Sequence, residues 1–500
     1  MSMTRSPAQH PRNRHAAGTS IAAIAFASCL LVGLIGVNPA VPAHALPVGR
    51  PNVVILLTDD QTLEMMQYMP ITLGRLANHG LSFSNAVVPN SVCCPSRASI
   101  LTGNHSSTTG VWDNVGRNGG FGAFARSGHD RSTIATWLHD AGYETGFFGK
   151  YLNEYGTITG GQYKPPGWDE WMAYTFPGYH DYAVANIDRA GRPTNTRYAG
   201  PSSPYAPTLL ADKAVDFIGA VPPTSPLFLF YAPFDPHKAP GKRGAIPASQ
   251  DRGTYADLAP LRPPNFDEAD VSDKPSWIRG EPRIDRATAL KMNEQRISMI
   301  EALQAVDRAV GDIVQTLADE NRLDTTLIVF MSDNGYLFGE HRDKGKNSPY
   351  DSATRVPMVI RYDPLLAGPA VSEENAMNID LAPTIADVAG LSNVPATDGV
   401  SLKPILLDPS ADVRGAFLLE GGDLTPSGHP PYCGARNERF MYVRYADGQA
   451  EFYDYQADPY ELNNKIEADR RRLRGTIRRL KGFAKQTCVP AYPGYRWGRG

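Results

Sequence analysis

The run Cys93-Cys94-Pro95-Ser96-Arg97 concentrates the reactive residue types of this chain. It precedes Ala98-Ser99-Ile100-Leu101-Thr102, a segment of helical character. Pro95 suits the first turn of a helix, where its missing N–H costs nothing. Cys93 is therefore expected just before a helix N-terminus, whose unpaired N–H groups favour developing negative charge. Arg97, about one turn in, is able to face the same anion. A cysteine so placed is either a small buried side chain or a reactive one. The other chemistry-bearing residues favour the second: Asp59, Asp60, Lys150, His237, Asp333, Asn334 and Lys346 recur in short motifs along the chain.

The elements that must position these residues are legible as apolar runs. Val53-Val54-Ile55-Leu56-Leu57 is continuous and β-branched, as in a strand buried on both faces, and it ends in Thr58-Asp59-Asp60. Two adjacent carboxylates at such a strand end are costly unless a cation or a helix end takes them up. One aspartate would cap a helix starting near Gln61; two exceed what a cap needs. Strands are also expected over 143–148, ending in Gly149-Lys150, and over 227–232, ending in Asp235-Pro236-His237. A further one over 325–331 ends in Ser332-Asp333-Asn334-Gly335, and another covers 358–360. Helical spacing marks 133–141 and 287–323, the latter through Met292, Ile297, Ile300, Leu303, Val306, Val310 and Ile313.

Strands alternating with helices predict an α/β fold, a mostly parallel sheet with helices on both faces. In such a sheet Asp59-Asp60, Lys150, His237 and Asp333-Asn334 all project over one edge, where ligands bind. Oxygen donors from Asp59, Asp60, Asp333 and Asn334 make a hard-cation site, suiting Ca²⁺ first and Mg²⁺ second. No thiolate or histidine cluster has zinc spacing.

The 500 residues suggest a large domain plus a smaller one, and a net charge of −3 gives no global pull toward nucleic acid or anionic membranes. Arg5, Arg12 and Arg14 open the chain, an apolar run covers 21–37, and Ala43-His44-Ala45 closes it. Residues 1–45 thus read as a signal peptide cleaved near Ala45, which predicts a secreted or extracytoplasmic protein without stable membrane insertion. A proline- and charge-rich stretch over 240–282 suggests a surface excursion. Composition changes after about Pro404, with short strands over 416–420, 441–445 and 451–455 and a basic helix over 468–485. The expected division is a catalytic domain over 47–405 and a C-terminal α+β subdomain over 406–500. Arg470, Arg471, Arg472, Arg474, Arg478 and Arg479 form either a path for an acidic substrate or a solvated helix face. In an oxidising compartment Cys433 and Cys488 are able to pair, whereas a Cys93–Cys94 bridge would be strained.

The pattern C-x-P-S-R resembles the signature of the type I sulfatases, and the partner motifs match that family from about Asn52 into the C-terminal region. The tail motif Glu451-Phe452-Tyr453-Asp454-Tyr455, with Asp458-Pro459 and Glu461, is part of the likeness. The resemblance implies an alkaline-phosphatase-like fold and conversion of Cys93 to Cα-formylglycine (3-oxoalanine) by a maturation enzyme, Cys94 filling the variable position. It implies Asp59, Asp60, Asp333 and Asn334 as Ca²⁺ ligands together with the modified Cys93. Arg97, Lys150 and Lys346 are then cationic partners of the aldehyde hydrate and the sulfate, and His237 the general acid. Lys346 is placed by Lys346-Asn347-Ser348-Pro349-Tyr350 before Arg355-Val356-Pro357.

Many sulfatases carry a histidine two residues after the strand-end lysine; here Gly149-Lys150-Tyr151-Leu152 has leucine. That spelling, with Asn153-Glu154-Tyr155-Gly156, the double cysteine and Asp333-Asn334-Gly335-Tyr336, resembles the N-acetylglucosamine-6-sulfatase and heparan 6-O-endosulfatase branch. His105 and His341 stand as alternative bases, and Trp112, Asp113 and Asn114 as pocket residues. The implied substrate is a 6-O-sulfated glucosamine-type sugar, with aryl sulfates turned over as well. The implied reaction is attack on sulfur by one hydroxyl of the hydrated aldehyde, protonation of the leaving oxygen, and expulsion of sulfate as the aldehyde reforms. Two other readings are a phosphonate monoester or phosphodiester hydrolase of the same superfamily and a non-catalytic secreted carbohydrate-binding protein.

Overall fold

The structure, a computed structural model, describes residues 49–200, 202–422, 429–467, 470–488 and 492. The expected signal peptide over 1–45 lies outside the described residues. Within them, no helix is long and apolar enough to cross a membrane.

The central strand β1 (Asn52–Thr58) is buried at all seven residues. Its side chains alternate between two cores. Val53, Ile55 and Leu57 pack to one side of the sheet, Val54 and Leu56 to the other, as a period of two requires. The other sheet strands are β2 (Leu81–Phe83), β3 (Glu144–Gly149), β4 (Glu170–Phe176), β5 (Tyr182–Ile187), β6 (Pro193–Tyr198), β7 (Leu227–Ala232), β8 (Thr326–Ser332), β9 (Met358–Arg361) and β10 (Ala370–Ser372). They lie in the order β10-β2-β9-β8-β1-β7-β3-β4-β5-β6. The block β8-β1-β7-β3-β4 is parallel throughout, as the unbroken apolar runs predict.

The sequence reading expects β9 as a strand over 358–360 but not its antiparallel direction, and it has no counterpart for β5 and β6. Strand β9 runs against both β8 and β2, and β5 and β6 extend the far edge as a meander. Strand β6 is polar and largely exposed, so it offers no apolar run or alternation to read.

Helices α1 (Cys93–Thr102), α2 (Ile134–Asp140), α3 (Ala206–Ala220), α4 (Arg286–Asp319) and α5 (Leu381–Val388) cover the sheet. The 34-residue α4 is started by Asp285, whose carboxylate accepts the Thr288 N–H at 2.8 Å. Its stripe Met299, Ile300, Leu303, Val306, Val310, Ile313 and Leu317 fills one core.

The C-terminal strands β11 (Phe417–Gly421), β12 (Tyr432–Arg436), β13 (Phe440–Tyr445) and β14 (Ala450–Asp454) form an antiparallel sheet. Its inner face, with Leu419, Met441, Val443 and Tyr453, shares a core with Val87, Tyr350 and Met377 of the larger part. Its outer face is covered by α6 (Arg470–Thr487). A disulfide joins Cys433 to Cys488.

The 240–282 stretch is turn-rich, yet it sends Lys274 and Glu268 into a buried network. Lys274 Nζ donates to Glu268 at 3.1 Å, and Glu268 accepts His341 Nδ1 at 2.6 Å. Glu461 lies 3.8 Å from the other ring nitrogen. Burial alone would lower the His341 pKa, but its bonds to Glu268 and Glu461 outweigh that and raise it to about 9. The candidate base of the sequence is therefore a protonated structural ion, stacked on Tyr350 at 4.2 Å. Because the folded-state pKa is raised, its stabilisation is full below the unfolded value of about 6.5 and is lost as pH rises through 9, about 3 kcal/mol in all. Unfolding measured at pH 6 and pH 9.5 is expected to lose that increment in the parent and not in His341→Gln. Equal pH dependence in both would refute the assignment.

Candidate active site

Strand ends and one helix start converge on Cys93. Helix α1 begins at Cys93 itself, rather than after it, with Val92 extended as the N-cap. Pro95 falls in its first turn, and Gly103 closes it in the left-handed region at φ 72°. Thr58, Ala232 and Ser332 end β1, β7 and β8 side by side. Asp59, Asp60, Asp333 and Asn334 come within two residues of those ends and are 0–2% exposed.

Cys93, Arg97, Lys150, His237, Lys346 and the four oxygen donors are brought together, whereas His105 and His341 are not. Cys93 Sγ accepts from Lys346 Nζ at 2.6 Å and lies 3.5 Å from Asp59 Oδ1. Lys150 pairs with Asp59, and Lys346 with Asp60. Arg97 Nε donates to Asp333 at 2.8 Å, a second nitrogen lies 3.4 Å from Asp59, and a third donates to the Lys150 carbonyl at 2.6 Å. Asn334 Nδ2 donates to Asp60 at 2.7 Å. His237 Nε2 lies 3.6 Å from Asp60 Oδ2.

These groups set one another's charge. Burial opposes ionisation of Asp59, but Lys150, His237, Arg97 and Lys346 hold it far below the usual carboxylate range. Burial, then the charge of Asp59, pushes Asp333 up. Lys346 is raised well above the normal lysine value, the surrounding acids overcoming burial. Burial, reinforced by Asp59, pushes the Cys93 thiol up to about 11. An unmodified Cys93 is thus a neutral thiol at pH 7 and a poor nucleophile.

The donor set fits a divalent cation. Asp59, Asp60, Cys93 and His237 present ligand atoms within 4.8 Å of one another. The Asn334 side-chain oxygen is buried without a hydrogen-bond donor among the described residues, an orphan that a cation would satisfy. Three carboxylates face three cationic side chains, so the protein's own charges already balance. A divalent ion would leave the site positive and receptive to an anionic ester.

Other histidines are placed elsewhere. His105 lies past the far end of α1, about 15 Å along the helix axis from Cys93, and sits against Glu420. Leu152 lies in the apolar core, so no polar side chain replaces the absent histidine there. Asn114 is the closer neighbour. Its oxygen accepts the Cys94 N–H at 2.9 Å and its nitrogen lies 4.0 Å from Cys93 Sγ. The Trp112 carbonyl accepts from Asn90 Nδ2 at 3.3 Å.

Several supports carry no sequence signal. The Ser91 hydroxyl donates to the Ser348 carbonyl at 2.9 Å, and Asn347 N–H to the Ser91 carbonyl at 3.0 Å, tying the Lys346 loop to the cysteine loop. Tyr179 donates to the His237 carbonyl at 2.7 Å, and the Phe234 ring packs on the imidazole at 4.6 Å. His237 Nδ1 lies 2.8 Å from the Lys238 carbonyl, an acceptor only, so Nδ1 carries a proton and Nε2 faces the acids. Burial, aided by Lys346 and Lys150, lowers the His237 pKa to about 4.

The comparisons with known proteins agree with this geometry. The Sulfatase family model matches residues 51–391, and a second model, N-sulphoglucosamine sulphohydrolase, C-terminal, matches 339–481. The chain belongs to the sulfatase family, enzymes that hydrolyse sulfuric esters. It is 33% identical to the extracellular sulfatase SULF-1 homolog of Drosophila melanogaster over 74% of the chain, but spans only 33% of that protein. With the N-acetylglucosamine-6-sulfatase of Homo sapiens it shares 29% identity over 97% of the chain and 93% of the relative. The solved complex of BT4656 with its substrate D-glucosamine-2-N,6-O-disulfate superposes with a TM-score of 0.72 at 24% identity, over 88% of this chain and 98% of that one.

Proposed function

We propose that this chain is a secreted, Ca²⁺-dependent sulfatase that uses a formylglycine made from Cys93 to hydrolyse a 6-O-sulfate ester of a glucosamine-type sugar. The observation that carries the reading is the enclosure of Cys93 by three cations and three acids at one sheet edge. That arrangement gives a buried, deactivated thiol no use as itself. It gives an oxygen at the same position a nucleophile's setting. The sugar preference is supported by the near full-length likeness to N-acetylglucosamine-6-sulfatase. The secreted reading is supported by the N-terminal apolar run and the extracellular relatives.

Asp59, Asp60, Asp333, Asn334 and the modified Cys93 would hold the cation, with Mg²⁺ as the weaker occupant. When bound, the ion would supply positive charge to the sulfate oxygens and to the nucleophilic oxygen, while the aldehyde, after adding one water, would supply two hydroxyls, one to attack sulfur and one whose deprotonation expels sulfate as the aldehyde reforms. Lys150 and Lys346 bind and orient the sulfate. Arg97 holds Asp59 and Asp333 in place and keeps Asp59 ionised together with the two lysines. His237 protonates the leaving oxygen through Nε2, the one nitrogen facing the site. Its low free-state pKa rises when an anionic ester is placed beside it.

Mass spectrometry of the peptide spanning Cys93 to Arg97, from secreted protein, is expected to show an aldehyde at position 93 and a thiol at Cys94. Turnover of N-acetylglucosamine-6-sulfate is expected in the same preparation. Unmodified Cys93 in active protein would refute the mechanism. Phosphonate monoester turnover exceeding sulfate ester turnover would favour the phosphohydrolase reading.

A further inference from the structure

Helix α6 carries charge that the catalytic centre does not use. It holds eight Arg or Lys residues and no acid, on a chain of net charge −3. Leu473, Ile477, Leu480, Ala484 and Cys488 face the small sheet. Arg474, Arg478, Lys481 and Lys485, each one residue further on, recur at spacings of four, three and four residues and form a second stripe. All four are exposed, and none makes an ion pair among the described residues. Like charges at these spacings repel, and Gly475 and Gly482 weaken the helix further. The helix is held down by its apolar stripe and the Cys433–Cys488 disulfide.

Arg474, Arg478 and Lys481 line a groove of about 550 Å³ with Tyr442 and Arg444, where Glu467 is the single carboxylate. Tyr492, four residues past Cys488 in the sequence, touches a neighbour of the catalytic centre. Tyr492 meets Trp112 edge-on at 5.7 Å, and Asn114, two residues on, binds the Cys94 N–H.

We propose that this groove and stripe bind a sulfated polysaccharide outside the catalytic centre. The polymer is held by sulfates other than the one being cleaved. Arginine suits this because its planar fork pairs with tetrahedral oxyanions through two bonds. The proposal rests on the reading of a sulfated sugar as substrate, and it adds that the substrate is polymeric.

The test uses the full mature protein and a heparin dodecasaccharide, with binding followed by fluorescence anisotropy at low and moderate salt. The triple variant Arg474→Ser, Arg478→Ser, Lys481→Ser is expected to bind about tenfold or more weakly, with a flatter salt dependence. Its KM for sulfated polymer is expected to rise while its kcat/KM for a small aryl sulfate stays at the parent value. Parent-level heparin affinity in the triple variant would overturn the proposal. Equal parental affinity for single-stranded DNA or phosphatidylserine vesicles would also overturn it, marking a generic polyanion surface. Binding lost in the triple variant but with no sulfatase turnover in the parent would leave the exosite standing and defeat the catalytic reading instead.

Discussion

Replacing Cys93 by alanine is expected to reduce sulfatase turnover to background, a loss on the order of 10⁶-fold as for other covalent nucleophiles. The fold should persist. Removing one sulfur atom leaves Lys346 paired with Asp60, Lys150 with Asp59 and Arg97 with Asp333, so no buried charge loses all its partners. The informative control is the adjacent residue. Cys94 lies in the apolar core, and its replacement by alanine removes little more than a small buried group, about 1 kcal/mol. Cys94→Ala is therefore expected to keep turnover within a few-fold of the parent. Kinetics on both variants, with circular dichroism to confirm the fold, decide the matter. Comparable losses in the two variants would mean that the pair acts structurally.

Removing the divalent ion is expected to have the second largest effect. Chelation should lower turnover by about 10²- to 10³-fold, the range seen when a preorganised electrostatic stabiliser is taken from a developing charge. Calcium should restore activity better than magnesium. The donors are carboxylate and amide oxygens from two neighbouring strand ends, a set that suits a larger, flexible coordination sphere. Chelation should also lower the thermal midpoint, because an ion that binds only the folded state stabilises it by about 2.7 kcal/mol at a hundredfold excess over Kd. Asn334→Ala removes the orphan oxygen and should weaken calcium binding by calorimetry. Full activity after exhaustive chelation would refute the metal assignment. Restoration by manganese or zinc in preference to calcium would point to the phosphohydrolase alternative.

The candidate site is legible because its residues sit at strand ends. A buried parallel strand announces itself as an apolar run, and the residues just past its C-terminal end must lie at one sheet edge. Asp59-Asp60, Lys150, His237 and Asp333-Asn334 are found that way, and the structure gathers them with Cys93, Arg97 and Lys346. The two candidate bases fail for a physical reason that spacing does not carry. A histidine's role depends on which carboxylates reach it, and Glu268 and Glu461 come to His341 from distant segments. The supports of the Lys346 loop, Ser91 and Asn347, are equally silent, because hydroxyls and amides have no periodicity.

The amino-acid sequence by itself determined the family and the parallel strands of the sheet centre, and it marked Cys93 and the oxygen-bearing residues that the structure places together. These are local facts: runs, strand ends and one five-residue motif. Tertiary structure alone decided the antiparallel course of β9, the meander of β5 and β6 at the far edge, and which face of α6 points outward. It also decided the protonated state of His341 and the contacts by which Asn114 meets Cys93 and Cys94. Those depend on burial and on partners far apart in the chain, where charge and solvation are set by neighbours that no short stretch encodes.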